Sequence, residues 1–168
     1  MKNLLLISSA LLFVLSCSQE SGKRNQNCCL ANDDSLKIVK EIFAVSDNWA
    51  FANINMDAEK AAEFWDSSSN FLFVENGEQI LNWDSLFYGI KNWYSQPLDS
   101  IELRWEERKV IPLTHEAATL FCKFYFRARF KTGELYHSRA FITALFVKKD
   151  GKWKLMQGHE SYKVLGKE

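Results

Sequence analysis

The chain has 168 residues, of which 21 are Lys or Arg and 21 are Asp or Glu, so its formal net charge is zero. This balance excludes the strongly basic surface that a nucleic-acid partner would require. Aromatic content is high, with 13 Phe, 6 Trp and 5 Tyr. The rings indicate either a large aromatic core or an apolar cavity or dimer face that needs the surplus.

The N-terminal segment predicts a secretory signal peptide. Lys2 precedes an apolar run from Leu4 to Leu15, which is shorter than the roughly 20 residues of a membrane-spanning helix. The run ends in Val-Leu-Ser-Cys, which resembles the lipobox of bacterial lipoproteins. The resemblance implies that residues 1–16 are removed and that Cys17 carries the lipid. We therefore expect a bacterial cell-envelope protein that is attached to a membrane through its N-terminal lipid.

The residues after Cys17 predict a location and a tether. Ser18 is not the Asp that retains lipoproteins at the inner membrane in some bacteria, which favours the outer membrane, with the domain facing the periplasm or the cell surface. Residues 17–32 are polar and form a predicted flexible tether. Cys28 and Cys29 are adjacent and would pair with each other only under strain, which leaves pairing between chains open. The folded domain is predicted at residues 33–168.

Helices are predicted first and a strand meander last. Apolar spacing predicts helices at about Asp34–Asn55, Ala58–Trp65 and Ser85–Tyr94. Between the last two, the turn signal Asn76-Gly77 predicts a hairpin of Phe71–Glu75 and Glu78–Leu81. Alternation of apolar and polar residues then predicts strands at about Ile101–Ile111, Ala117–Phe130, Leu135–Lys148 and Trp153–Leu165. The short turns between them predict antiparallel neighbours and an α+β fold.

The period of two also assigns side chains to the faces of the predicted sheet. On the last strand one side carries Trp153, Leu155, Gln157, His159 and Ser161. We expect this side to face inward, because Lys154 on the other side should be solvated. On the first long strand a solvated face is predicted for Glu102, Arg104, Glu106 and Arg108.

The order of elements, together with two stretches of sequence, resembles the nuclear transport factor 2-like superfamily and, within it, the SnoaL-like branch. One stretch runs from Asp66 through the strand and turn that end at Gly77, and the other is Asp150–Ser161. Many members carry two His on the last strand, whereas this chain has Gln157 and then His159. The resemblance implies a cone: a curved antiparallel sheet of two short and four long strands wrapped around three N-terminal helices. It also implies a pocket at the wide end and homodimers through the outer face of the sheet.

Candidate site residues follow from this cone. His159 is the candidate catalytic acid or base, and the alternative is a structural hydrogen bond within the sheet. The predicted pocket residues are Trp83, Trp93, Trp105, Phe124, Phe126, His137, Arg139, Gln157 and His159. For His137 and Arg139 the alternative is a strand-end cluster at the surface or dimer contact.

Other titratable groups carry weaker signals. The carboxylates near the expected mouth are Asp47, Asp66 and Glu75, each with solvent or a turn as the alternative neighbour. Cys122 is predicted to be a small buried apolar residue. No spacing of Cys or His predicts a metal site, and no cofactor is predicted.

Three functions remain open from the sequence. The leading hypothesis is a lipid-anchored, dimeric domain that binds a small apolar molecule in its cone pocket. The second is an enzyme of the isomerase, dehydratase or cyclase type that uses His159. The third is a non-catalytic envelope assembly protein whose cavity is filled by side chains. A pocket that holds a desolvated carboxylate with His159 would favour the enzyme, and a pocket without titratable groups would favour binding.

Overall fold

A computed structural model of the chain describes residues 30–167. The predicted signal peptide, Cys17, Cys28 and Cys29 lie outside the described residues. Among the helices of residues 30–167, none has the length and apolarity needed to cross a membrane.

Three helices form as the apolar spacing predicts. They are α1 (Asn32–Ile54), α2 (Ala58–Ala62) and α3 (Trp83–Tyr94). The side chain of Asp57 caps α2, and Asn82 Oδ1 caps α3 by accepting from the Ser85 backbone N–H at 2.8 Å. Helix α2 ends earlier than predicted, because Trp65 forms a bridge with Leu155 at the edge of the sheet.

Six strands form one sheet. They are β1 (Leu72–Glu75), β2 (Glu78–Ile80), β3 (Leu98–Thr114), β4 (Ala117–Phe130), β5 (Leu135–Lys149) and β6 (Lys152–Lys167). Their order across the sheet is β2-β1-β6-β5-β4-β3. The predicted antiparallel meander of the four long strands is confirmed, whereas β1 joins the free edge of β6 as a parallel neighbour. The α+β class is confirmed, and the curved, unclosed sheet is consistent with the cone.

One end of the molecule, which we call the packed end, consists of α1 and α2 with the parts of β3 to β6 that they cover. Its centre is aromatic: the Trp49 and Phe64 rings stack at 5.2 Å, and Phe64 meets Phe146 edge-on at 5.3 Å. Phe146 and Leu155 are fully buried there. Cys122 is also buried, as predicted, and burial raises the pKa of its thiol to about 12.

Ion pairs hold the helices and the α2–β1 loop of the packed end to the sheet. Lys148 Nζ lies 2.8 Å from Glu41 Oε2, which also accepts from the Trp153 indole N–H at 2.7 Å. Lys149 Nζ lies 2.7 Å from the buried Asp66. These partners hold the pKa values of both Glu41 and Asp66 below their usual range.

A third pair, between Asp47 and Arg108, ties α1 to β3. Arg108 Nη1 lies 2.6 Å from Asp47 Oδ1 and also donates to the Ser46 hydroxyl at 2.9 Å. Asp47 therefore has a structural partner.

A β-bulge in β6 determines which of its side chains face the helices. Leu145 pairs with Gln157 and Phe146 pairs with Leu155, so Met156 has no partner across the strand. Because side chains alternate along a strand, one extra residue exchanges the two faces beyond it. The predicted inward face is correct at Trp153 and Leu155 but wrong at His159, where Glu160 faces inward instead.

A second bulge has the same effect on β3. Trp105 pairs with Phe124 and Glu107 pairs with Lys123, so Glu106 is the extra residue. Beyond it Arg108 turns toward α1, and the prediction that Arg108 belongs to a solvated face is wrong.

Candidate functional site

The open end of the cone encloses a cavity of about 870 Å³ between α1, α3, the β1–β2 hairpin and the inner faces of β3 to β6. Its volume lies in the range of small-molecule sites. The buried part is lined mainly by large apolar side chains, including Trp49, Trp65, Phe73, Leu86, Leu103 and Phe124. The exposed rim is more polar and carries Gln79, Leu81, Ser85, Gly89 and Glu134.

Two carboxylates, Glu75 and Glu160, line this cavity from neighbouring strands. They are register partners across the parallel β1–β6 pair. Asn76 and Gly77 adopt φ of 48° and 88°, the left-handed backbone that the turn between β1 and β2 requires. The Asn76 N–H donates to the Glu160 carbonyl at 2.9 Å, and Asn76 Oδ1 accepts from the Tyr162 N–H at 2.9 Å. The turn therefore fixes Glu75 beside Glu160.

The environment of this pair favours protonation. Burial, with a further contribution from Glu75, raises the pKa of Glu160 to about 8. Burial, with a further contribution from Glu78, also raises the pKa of Glu75. Neighbouring carboxylates titrate as a coupled pair, because ionisation of one opposes ionisation of the other. At neutral pH the pair therefore retains a proton that it can donate or exchange.

No counter-ion accompanies the pair. Among the described residues that line the cavity, none is Lys, Arg or His. Within residues 30–167, neither carboxylate forms an ion pair with a basic side chain. Within the described part of the chain, the only other carboxylate in the lining is Glu134, which is exposed at the rim. The cavity is thus acidic without compensation.

Tyr94 and Trp65 are two further cavity residues that carry polar atoms. The Tyr94 hydroxyl donates to Asn53 Oδ1 at 2.7 Å, and burial raises the pKa of that phenol, so it stays protonated. The Trp65 indole Nε1 is buried and has no hydrogen-bond partner in the described part of the chain. Trp65 is only 5% exposed and is one of the residues that line the cavity.

The predicted aromatic pocket residues divide into two groups. Trp93, Phe124 and Phe126 line the cavity. Trp83 lies outside it, where its ring stacks on Phe87 at 5.0 Å, because its indole N–H is directed to the Ala62 carbonyl. Trp105 also lies outside the lining, because its indole N–H donates to Asp47 at 3.1 Å.

The predicted polar pocket residues lie on the opposite, outer face of the sheet. Arg139 forms the bidentate carboxylate pair that its chemistry suggests, but with Glu106 of its own chain, at 2.8 and 2.9 Å. His137 Nδ1 lies 3.5 Å from the Tyr125 hydroxyl. These placements differ from the pocket expectation because His137 and Arg139 alternate with the cavity residues of β5.

Gln157 and His159 also face outward, where the bulge at Met156 places them. They line a shallow depression of the outer face together with Phe121, Thr143 and Leu145. His159 therefore does not reach the cavity, and the expectation that it acts there is corrected by the structure. Glu160, the next residue, takes the inward position instead.

Sequence reasoning assigned Glu160 to the wrong face, and the nearest signal of an irregularity is Gly158, two residues beyond the bulge at Met156. Gly158 interrupts β6, and glycine within a strand often marks a bulge or a close approach. A Cβ at this position would lie 3.0 Å from Phe73 Cε2 and 3.1 Å from the Thr143 carbonyl oxygen. Gly158 thus allows β1 to pack closely enough to bring Glu75 beside Glu160.

The fold and the cavity define a cone-shaped α+β domain of the nuclear transport factor 2-like class. The family model of the SnoaL-like domain matches residues 42–164. The chain belongs to the SnoaL-like family. No curated protein matches the chain significantly.

Solved structures share this fold at low sequence identity. A nuclear transport factor 2-like superfamily protein from Salmonella enterica aligns at TM-score 0.66 and 12% identity, over 78% of this chain and 93% of that one. A related protein of unknown function from Shewanella oneidensis aligns at 0.62 and 19%, over 74% and 98%. The hexachlorocyclohexane dehydrochlorinase LinA type 2 aligns at 0.66 and 10%, over 81% and 94%. Such identities establish the fold alone.

Proposed function

We propose that this domain binds a small, largely apolar molecule in its cone cavity and holds a polar group of that molecule at Glu75 and Glu160. The cavity meets neither of the two criteria set from the sequence, because it holds titratable carboxylates but not His159. The observation that carries the proposal is the pair of carboxylates inside an otherwise largely apolar cavity. A partly buried acid without a basic partner lowers stability, so its presence is better explained by a ligand than by packing.

The cavity also bears on the assembly alternative. That hypothesis supposed that side chains fill the cone, whereas a volume of about 870 Å³ is open. An open apolar cavity of this size is typical of a site that is completed by a bound molecule.

Gly89 of α3 allows a direct test of binding in the cavity. It lines the cavity, and a Cβ built there meets no atom within 4 Å. Gly89→Trp should therefore place an indole in open space without strain on the helix, and Gly89→Ala is the matched control. We expect the full-length protein and the Ala variant to increase the fluorescence of Nile red, an uncharged apolar dye, and the Trp variant to lose this binding. Equal binding by all three proteins would place the dye elsewhere and contradict the proposal.

A second candidate function is acid–base catalysis on an apolar carbonyl compound by the carboxylate pair. It is favoured by the pKa of Glu160, about 8, because a group with a pKa near the working pH exchanges protons efficiently. This version replaces His159 by Glu75 and Glu160 as acid and base. One structural neighbour, LinA type 2, carries the name of a dehydrochlorinase.

Catalysis is tested with 2-tetralone, an apolar ketone with an acidic C–H beside its carbonyl. In deuterium oxide the base removes that proton, and the resulting enolate takes a deuteron at the same carbon. We expect nuclear magnetic resonance to show faster deuterium incorporation with the wild type than with Glu75→Gln or Glu160→Gln. His159→Ala is the control that should exchange at the wild-type rate. Loss of exchange in His159→Ala alone would restore His159 as the candidate acid or base.

The outer face of the sheet is the proposed homodimer surface. Phe141 on this face is 41% exposed, and its ring lies 6.3 Å from that of Phe121. Phe141→Glu should convert a dimer into a monomer by light scattering, because a charge would be buried in an apolar contact. Tyr88→Glu on the exposed side of α3 is the control. A monomeric wild type would overturn the dimer.

The membrane anchor is proposed from the N-terminal sequence. Cys17→Ser removes the acylated thiol and should move the protein from the membrane fraction to the soluble fraction of the native cell. Ser18→Ala is the matched control and should stay with the membrane. A Cys17→Ser variant that remains bound to the membrane would refute lipid anchoring.

A further inference from the structure

The cavity combines negative charge with aromatic walls in a way that selects a chemical class. Glu75 and Glu160 lie side by side on β1 and β6, and each has an aromatic residue two positions away on its own strand. Phe73 lies two residues before Glu75, and Tyr162 two residues after Glu160, so each ring shares the cavity face with its carboxylate. Any group held by the pair is therefore flanked by aromatic rings.

We infer that the natural ligand of this cavity is an apolar molecule that carries one ammonium group, which sits between the Glu75 and Glu160 carboxylates. This inference rests on the binding function proposed above and names the ligand class of the same site. An ammonium group donates hydrogen bonds to carboxylate oxygens and is attracted to the faces of aromatic rings. A ketone or an alcohol would fit less well, because an uncharged group leaves the negative charge of Glu75 and Glu160 uncompensated.

The charge balance fits a single cation. No basic side chain among the described residues lines the cavity, so residues 30–167 do not neutralise the pair. Burial raises the pKa of both carboxylates, to about 8 for Glu160, so near neutral pH the pair carries less than its full two negative charges. The packed end differs in this respect, because its carboxylates Glu41, Asp47 and Asp66 each form an ion pair with a Lys or Arg.

The acidic residues of the cavity also select against ligands that carry a negative charge. Anionic ligands fit poorly, because their charge would face Glu75, Glu160 and the rim residue Glu134.

Two probes of the same shape test this inference on the full-length protein. 1-Naphthylmethylamine is a cation at neutral pH, and 1-naphthylmethanol is its uncharged counterpart with the same ring and arm. Calorimetric titration should give the amine at least about tenfold tighter binding than the alcohol. In the double variant Glu75→Gln with Glu160→Gln the ratio of the two affinities should fall to about one.

Glu78→Gln is the matched control, because Glu78 is an exposed carboxylate of the same hairpin that does not line the cavity. It should keep the preference for the amine. If wild type binds the alcohol as tightly as the amine, the ammonium inference is overturned while the binding function stands. If neither probe binds and Nile red also fails to bind, both are overturned. An amine preference that survives the double variant would place the cation elsewhere and also overturn the inference.

Discussion

The packed end and the open end of this cone use acidic residues in opposite ways. At the packed end Glu41 and Asp66 each face a lysine, and their pKa values are lowered. At the open end Glu75 and Glu160 lie side by side without a basic partner among the described residues, and their pKa values are raised. The first arrangement stabilises the fold, whereas the second costs stability unless a ligand or a proton compensates it. The difference supports our proposal that the open end holds the binding site.

The largest expected effect is a loss of stability, and it should differ between a phenylalanine at the packed end and one at the open end. Phe146 is completely buried at the packed end, and Phe126 is half-buried on the cavity wall. Phe146→Ala should lower the free energy of unfolding by about 3–5 kcal/mol, as a cavity forms in a close-packed core. Phe126→Ala should cost about half as much or less, because the site is already open on one side. Urea denaturation measures both, and equal losses would mean that the open end is packed like the core.

The next effect concerns pH. Glu160 has a folded pKa of about 8 against an ordinary value of 4.5, so its contribution to stability is full below pH 4.5 and is lost as pH rises through 8. Glu160→Gln should remove this loss. At about pH 9 the variant should be more stable than wild type by up to about 5 kcal/mol, because each pKa unit between 4.5 and 8 corresponds to about 1.4 kcal/mol.

Urea denaturation of both proteins from about pH 5 to about pH 9 checks the sign of this prediction. Glu107→Gln, an exposed residue of β3, is the control and should follow the wild-type profile. A wild type whose stability increases over this range would show that Glu160 is charged and compensated in the fold.

A smaller effect tests the close approach of β1 to β6. Gly158→Ala places a Cβ about 3.0 Å from the Phe73 ring, so the ring or the strand must move. Overpacking of this kind should cost about 1–3 kcal/mol. Because Phe73 lines the cavity, Nile red affinity should fall as well. Gly133→Ala is the control for glycine replacement with open space around it, although its φ of 92° adds backbone strain of its own. Unchanged stability in Gly158→Ala would mean that β1 shifts freely and that Glu75 is not fixed beside Glu160.

The smallest expected effect is an increase in stability. Gly89 lies within α3, and alanine in a helix interior is favoured over glycine by about 0.8–1 kcal/mol. Gly89→Ala should raise the free energy of unfolding by about that amount, because no atom lies within 4 Å of the added Cβ. Thermal unfolding measures the gain. A loss of stability would show that α3 lies closer to the cavity wall than the structure has it.

Periodicity predicted most of the fold because helices and long strands repeat their own patterns. The bounds of β4 agree residue for residue with the prediction, and the turn at Asn76-Gly77 was found from local chemistry. The early end of α2 was missed, since it depends on Trp65 joining the edge of β6. The parallel pairing of β1 with β6 was missed for the same reason, because it joins segments that are distant in the chain.

The site was less predictable, because bulges interrupt the period on which its assignment depends. Extra residues at Met156 and Glu106 exchange the faces of β6 and β3, which moves His159 outward and turns Arg108 toward α1. The aromatic lining at Trp93, Phe124 and Phe126 was found, since no bulge interrupts α3 or β4. Glu75 was weighed as a candidate, but its partner Glu160 was assigned to the other face.

The sequence by itself determined the elements, their order, the family and the expectation of an anchor at Cys17, because each of these depends on local pattern or motif. Only the tertiary structure decided which residues face the cavity, because a single unpaired residue in a strand reverses every side chain beyond it. That reversal exchanges a histidine for a glutamate, and with it the chemistry of the site.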